Sequence, residues 1–94
     1  MYENAVENYL VAGVEALGGI CPKLVDQGRR GFPDRTVMIP HHDIVFVETK
    51  TTDGHVASWQ NRYHKQLHDL GFRVEVLWTC KQVDEFLHAY TFTA

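Results

Sequence analysis

Three charged residues are spaced in a way that packing alone does not explain. Asp34 follows Pro33 at the mouth of one apolar segment, and Glu48 and Lys50 stand two apart at the end of the next. Between those segments lies Pro40-His41-His42-Asp43, a length suited to a hairpin turn, so residue 34 folds back opposite the region of Glu48 to Lys50. Residues two apart in a strand share a face, and two carboxylates and a lysine therefore converge. The plain alternative is a surface ion pair at a strand end, an arrangement that contributes little to stability. Two acids near one point suit a hard cation, because Mg²⁺ takes one or two carboxylates and leaves its other positions to water and phosphate oxygens. The Thr49 backbone carbonyl, between the two side chains, is a further candidate oxygen ligand. Such an ion lowers the pKa of a bound water and polarises a phosphodiester. Lys50 is then suited to orient the attacking water or to stabilise charge building on the phosphate. In outline, this is a site for phosphodiester hydrolysis.

Periodicity predicts the elements that must hold these groups. Tyr2, Val6, Tyr9, Leu10, Gly13, Val14 and Leu17 recur at helical spacing over 3–17, and Gly18-Gly19 supplies the stop. Residues 20–25 form a short strand candidate that Pro22 confines to an edge or a bulge. Residues 26–33 read as a loop, followed by hairpin strands over 36–39 and 44–50. In the second of these, Ile44 and Phe46 point one way and Val45 and Val47 the other, the pattern of a central strand covered on both faces. A loop through Asp53-Gly54 leads to a helix over 56–70, with Val56, Trp59, Tyr63, Leu67 and Leu70 on one face and Gly71 ending it. Residues 72–78 form another strand. Thr79 with Gln82 makes a capping box for a last helix that buries Val83, Phe86, Leu87 and Tyr90. The expected fold is α/β, in the order α-β-β-β-α-β-α, with helices packed on a mixed sheet and a single domain over 1–94.

Composition excludes several classes. The 94 residues are 45% hydrophobic and 12% aromatic, enough to offset the entropy of ordering one small core. Two cysteines make no disulfide scaffold, no apolar run approaches the ~20 residues of a membrane helix, and the first residues form no basic leader. A cytoplasmic location is expected.

The string around the acids carries more than the acids themselves. Pro33-Asp34, thirteen residues, then Glu48-Thr49-Lys50 resembles the PD-(D/E)XK nuclease signature. Glu7-Asn8-Tyr9-Leu10, Gly18-Gly19, Lys23, residues 28–35, residues 47–50, Gln60 and Gly71-Phe72 further resemble the virus-type replication-repair nuclease (VRR-NUC) domain, from near the first residue to about residue 88. The resemblance implies a restriction-endonuclease-like fold and a Mg²⁺- or Mn²⁺-dependent nuclease of the stand-alone phage or bacterial type. It also implies an active site of Glu7, Asp34, Glu48, Lys50 and Gln60. In such a site Asp34, Glu48 and the Thr49 carbonyl hold the metal, and Glu7 completes its shell, directly or through water. The short stand-alone members are similar to dimeric junction-resolving enzymes, which implies a homodimer acting on branched DNA such as four-way (Holliday) junctions. A restriction-type endonuclease, an exonuclease and a non-catalytic DNA-binding module are the alternatives on the same fold. The last would show a lost acid or lysine, and none is lost.

Helical geometry leaves the first acid open. At 100° per residue Glu3 falls within the apolar arc and Glu7 at its border, while Glu15 faces water; the resemblance favours Glu7. Gln60 adjoins the Val56 and Leu67 side of its helix, and Lys65 faces away. Arg29, Arg30 and Arg35 crowd the loop beside Asp34 and suit phosphates flanking a cut, with Lys23 and Arg62 as further backbone contacts. His64 and His68 stand at i and i+4, but neither an H-E-x-x-H pattern nor a C-x-x-C accompanies them, which disfavours zinc. His64 borders the Gln60 side, where it is a candidate for assisting catalysis or touching DNA. Net charge is −3, which by itself argues against DNA. Discounting three site acids leaves nine acids against nine bases, and eight of the bases fall between Lys23 and Arg73. The balance is therefore compatible with salt-sensitive, metal-assisted binding on one face.

Overall fold

The structure is a computed structural model that describes residues 5–24, 32–50 and 58–91. Its elements are α1 (Ala5–Ala16), β1 (Arg35–Val37), β2 (Val45–Thr49), α2 (Ser58–Asp69), β3 (Arg73–Leu77) and α3 (Cys80–Thr91). The strands form one mixed sheet in the order β1-β2-β3, with β1 antiparallel and β3 parallel to β2. Between β2 and β3 the chain passes through α2, as a parallel connection requires. β2 is central, as its apolar run predicts.

The expected strand over 20–25 is the one departure in element order. Ile20 and Met38 exchange both backbone hydrogen bonds at 3.0 Å, Thr36 N donates to Pro22 O at 3.1 Å, and Leu24 N donates to the Asp34 carbonyl at 2.7 Å. Pro22 has no N–H to return to Thr36, so the ladder breaks there. What remains is two isolated bridges, Ile20 with Met38 and Lys23 with Arg35.

Helix ends follow the glycines. Gly18, at φ 85°, takes the left-handed position after α1: its N–H bonds Glu15 O at 2.9 Å and that of Gly19 bonds Val14 O at 3.0 Å, a Schellman pair. Gly71, at φ 96°, does the same for α2 with His68 and Phe72 with Leu67, each at 2.9 Å. At the start of α3, Thr79 Oγ1 accepts the Gln82 N–H at 3.0 Å, while Gln82 Oε1 reaches back to the Trp78 N–H at 2.6 Å, one residue earlier than in a standard capping box. Residues 40–43 form a turn, with His42 N bonded to Ile39 O at 3.1 Å, His41 at φ 68° and the His42 ring edge-on to Tyr90.

One sheet face sends Val37, Val45, Val47 and Leu77 into a core with Leu10 and Val14 of α1 and Val83, Phe86 and Leu87 of α3. Each such side chain, fully buried, stabilises the fold by about 1.5–3 kcal/mol. The other face carries Phe46, whose ring meets Phe32 and Phe72, and Phe32 in turn meets Tyr63 of α2. Three expectations of burial do not hold. Leu70 is 72% exposed because α2 ends at Asp69, Ile44 is 42% exposed because β2 begins one residue later, and Tyr9 is 43% exposed with its hydroxyl donating to Asp84 Oδ1 at 2.7 Å.

A methyl group added at Gly19 would run into the Met38 carbonyl oxygen and lie 3.2 Å from Ile39 Cα, both of them backbone. Gly19→Ala is therefore expected to destabilise the protein by about 1–3 kcal/mol, the range for forced overpacking. Chemical denaturation would read this as a lower midpoint at unchanged slope.

Candidate active site

The hairpin register sets the first two acids. Arg35 pairs with Val47, so one step further Asp34 stands across from Glu48, and directly opposed residues share a face. Lys50 projects from that face as well, with Nζ 3.3 Å from Glu48 Oε2. The backbone ties the pair together: the Asp34 N–H donates to the Glu48 carboxylate and the Thr49 N–H to that of Asp34. Lys50 N bonds Leu77 O at 3.0 Å on the β3 side, which turns the backbone groups of Thr49 toward Asp34.

Burial makes this pairing electrostatically tense. Glu48 is 4% exposed, and desolvation first, then the neighbouring Asp34 carboxylate, pushes its carboxyl up to about 7, against the pull of Lys50. Asp34 is raised too, by desolvation and then by Glu7, with Lys50 and Lys23 opposing. Glu7 in the first turn of α1 therefore acts electrostatically on Asp34, while its own carboxylate is held by Arg35 Nε at 2.8 Å, with Lys23 Nζ at 3.8 Å.

The same contacts redirect Arg35. Its side chain is 18% exposed, and NH1 donates to the Cys21 carbonyl at 2.8 Å. Arg35 thus joins β1, α1 and the segment after α1, facing inward rather than toward a phosphate. Lys23 and Arg62 are exposed. Gln60 lies in α2, two turns before the helix end, but its side chain falls outside the described residues, as do Arg29, Arg30 and Glu3.

His64 stands out in a way that its helical position does not predict. Its Nε2 atom is buried without a hydrogen-bond partner among the described residues, and its pKa is lowered by burial and then by the Lys50 ammonium. His68, one turn on, is 83% exposed beside Asp69 at 3.9 Å, so the two histidines do not share a site. Burial raises the Cys21 thiol to about 11, which leaves it inert as a nucleophile. A cavity of about 440 Å³ opens between Phe32, Tyr63, Leu67 and Leu70. Among the described residues that line it, none is Glu7, Asp34, Glu48 or Lys50.

Among the described residues no three His, Cys, Asp or Glu side chains are gathered as a metal cluster. The donor set nevertheless fits a hard divalent cation: two opposed carboxylates, both held above their ordinary range by burial and by neighbouring acids, are relieved by a cation between them. No helix among the described residues is long and apolar enough to cross a membrane.

No family model matches the chain. "Putative nuclease p44" of Acyrthosiphon pisum secondary endosymbiont phage 1 is 44% identical over 75 residues, covering 80% of this chain and 81% of that protein. A solved structure described as a VRR_NUC domain has a TM-score of 0.82 and 37% identity, covering 90% of this chain and 92% of its own. Fold and relatives together define a nuclease built on a restriction-endonuclease-like mixed sheet. Within that class the chain belongs to the VRR-NUC family.

Proposed function

We propose that this nuclease is a Mg²⁺- or Mn²⁺-dependent endonuclease that hydrolyses phosphodiesters at branched DNA, in the cytoplasm of a bacterial or phage-infected cell. The observation that carries the reading is the placement of Asp34 across from buried Glu48, with Lys50 beside it, at the end of the central strand β2. Buried acids are costly, and they persist where a charge is to be bound.

Asp34, Glu48 and the Thr49 carbonyl would hold the cation, with Glu7 extending the shell through water. When bound, the ion would supply Lewis acidity and lower the pKa of a water. Lys50 would orient the attacking water and stabilise charge developing on the phosphate, and Gln60 would position Lys50 or the scissile phosphate. Arg35 holds Glu7 in line with the site. Lys23, Arg29, Arg30 and Arg62 contact the flanking phosphates, which positions the duplex without reading its sequence.

A chain of this size offers a small footprint, and symmetric cutting of a junction needs two equivalent sites, which a two-fold dimer provides. Leu70 and Phe72, 72% and 46% exposed, supply apolar surface for such an association. The purified protein is expected to cut labelled four-way junctions and flaps with Mg²⁺ or Mn²⁺ and to leave linear duplex largely intact, while light scattering reports twice the chain mass. Equal cutting of linear duplex, from a monomer, would refute the branched-DNA and dimer assignments. Cutting undiminished by a chelator would refute the metal.

A further inference from the structure

One buried polar atom in the site is not used by the mechanism above. His64 as a residue is partly exposed, yet its Nε2 atom is buried and meets no hydrogen-bond partner among the described residues, so the ring directs its far nitrogen inward from α2. Buried polar atoms are rarely left in this state unless a partner arrives during function. The charge that acts on this imidazole is the Lys50 ammonium, and both burial and that charge keep the ring neutral. A neutral imidazole protonated on Nδ1 presents Nε2 as an acceptor.

Lys50 offers a donor for it, because α2 packs through Tyr63 and Phe32 on Phe46, on the sheet face that also carries Glu48. In the structure the Lys50 ammonium lies 3.3 Å from Glu48 Oε2. A cation engaging that carboxylate would weaken this contact, and an acceptor from α2 would keep the flexible side chain on a fixed aim. We propose that His64 is a positioning residue whose Nε2 accepts a hydrogen bond from Lys50 in the loaded site and holds its ammonium against the reacting phosphate. This rests on the nuclease reading and adds to it a residue outside the resemblance.

Cleavage by H64A is expected to fall about tenfold to a hundredfold in kcat, the scale of a misplaced group, with KM and the metal concentration for half-activity little changed. Glutamine places an amide where Nε2 stood and asparagine one where Nδ1 stood, so H64Q should recover most of the loss and H64N should not. In a K50A background H64A should cost nothing further, because the two act through one contact. Independently of activity, the His64 imidazole nitrogen resonances should show the Nδ1-protonated tautomer at neutral pH and should move in K50A. Wild-type kcat in folded H64A, or losses from H64A and K50A that simply multiply, would overturn the assignment while leaving the nuclease reading intact. A folded wild type that neither binds Mg²⁺ nor cleaves DNA would overturn both, and the resonances would then report only whether the two side chains touch.

Discussion

Asp34→Asn is expected to reduce metal-dependent cleavage by about 10²- to 10³-fold or more, the scale of removing one preorganised electrostatic group, while the protein folds as well as the parent or better. The substitution keeps the shape of the side chain and removes its charge. Asp34 is one of the two carboxylates that would hold the cation, so its loss weakens binding and leaves the nucleophilic water without its activating neighbour. The stability half of the expectation comes from the structure. Asp34 is the largest charge pushing the Glu48 carboxyl up, so neutralising it relieves Glu48 and brings its pKa back down. A surface ion pair would behave in the opposite way, since removing one partner of such a pair lowers stability slightly or not at all and leaves activity alone. Cleavage of a labelled junction over a series of Mn²⁺ concentrations, set beside a thermal melt in chelator, measures both halves. Full activity in a folded Asp34→Asn protein would remove the proposed site.

The convergence of Asp34, Glu48 and Lys50 was legible without coordinates because a short turn fixes register, and register fixes which side chains share a face. The central position of β2 was legible for a related reason, since a strand covered on both sides tolerates the apolar run Val45, Phe46 and Val47 with which it begins. What the sequence hid were properties that depend on where a side chain ends. Arg35 read as a phosphate contact from its charge and its loop, whereas its guanidinium turns inward because Glu7 and the Cys21 carbonyl both lie within 2.8 Å of it. Residues 20–24 had the composition of a strand and do run beside β1, but one missing N–H at Pro22 breaks the ladder. Leu70 sat at the right helical spacing one residue beyond the last turn of α2, where periodicity no longer predicts burial. His64 shared a face with Gln60, but spacing does not reveal that its Nε2 is buried without a partner among the described residues.

Glu48→Gln is expected to stabilise the metal-free protein at pH 8 and to abolish both cleavage and the stabilisation that Mg²⁺ confers on the parent. Burial and Asp34 raise the Glu48 carboxyl from an ordinary 4.5 to about 7 in the folded chain. The folded state therefore keeps this proton over a range in which the unfolded state has lost it. The favourable contribution is full below about pH 4.5 and is lost progressively as pH rises through about 7, after which the folded protein bears a buried charge at full cost. Glutamine remains neutral throughout, so the variant should lack this decline and should exceed the parent above pH 7 by about 2–3 kcal/mol, on the order of 10 °C in Tm. Asp34, also raised, contributes a decline of the same sign that the substitution reduces but does not remove. Below pH 4.5 the two proteins should converge. Magnesium closes the gap, because a ligand that binds only the folded state stabilises it by about 2.7 kcal/mol at a hundred times its dissociation constant. The parent should gain that increment and the variant should not. Parallel melts from pH 4 to 9, with chelator and with Mg²⁺, separate this from a structural role for Glu48, in which glutamine would lower stability at every pH and the ion would act on both proteins alike.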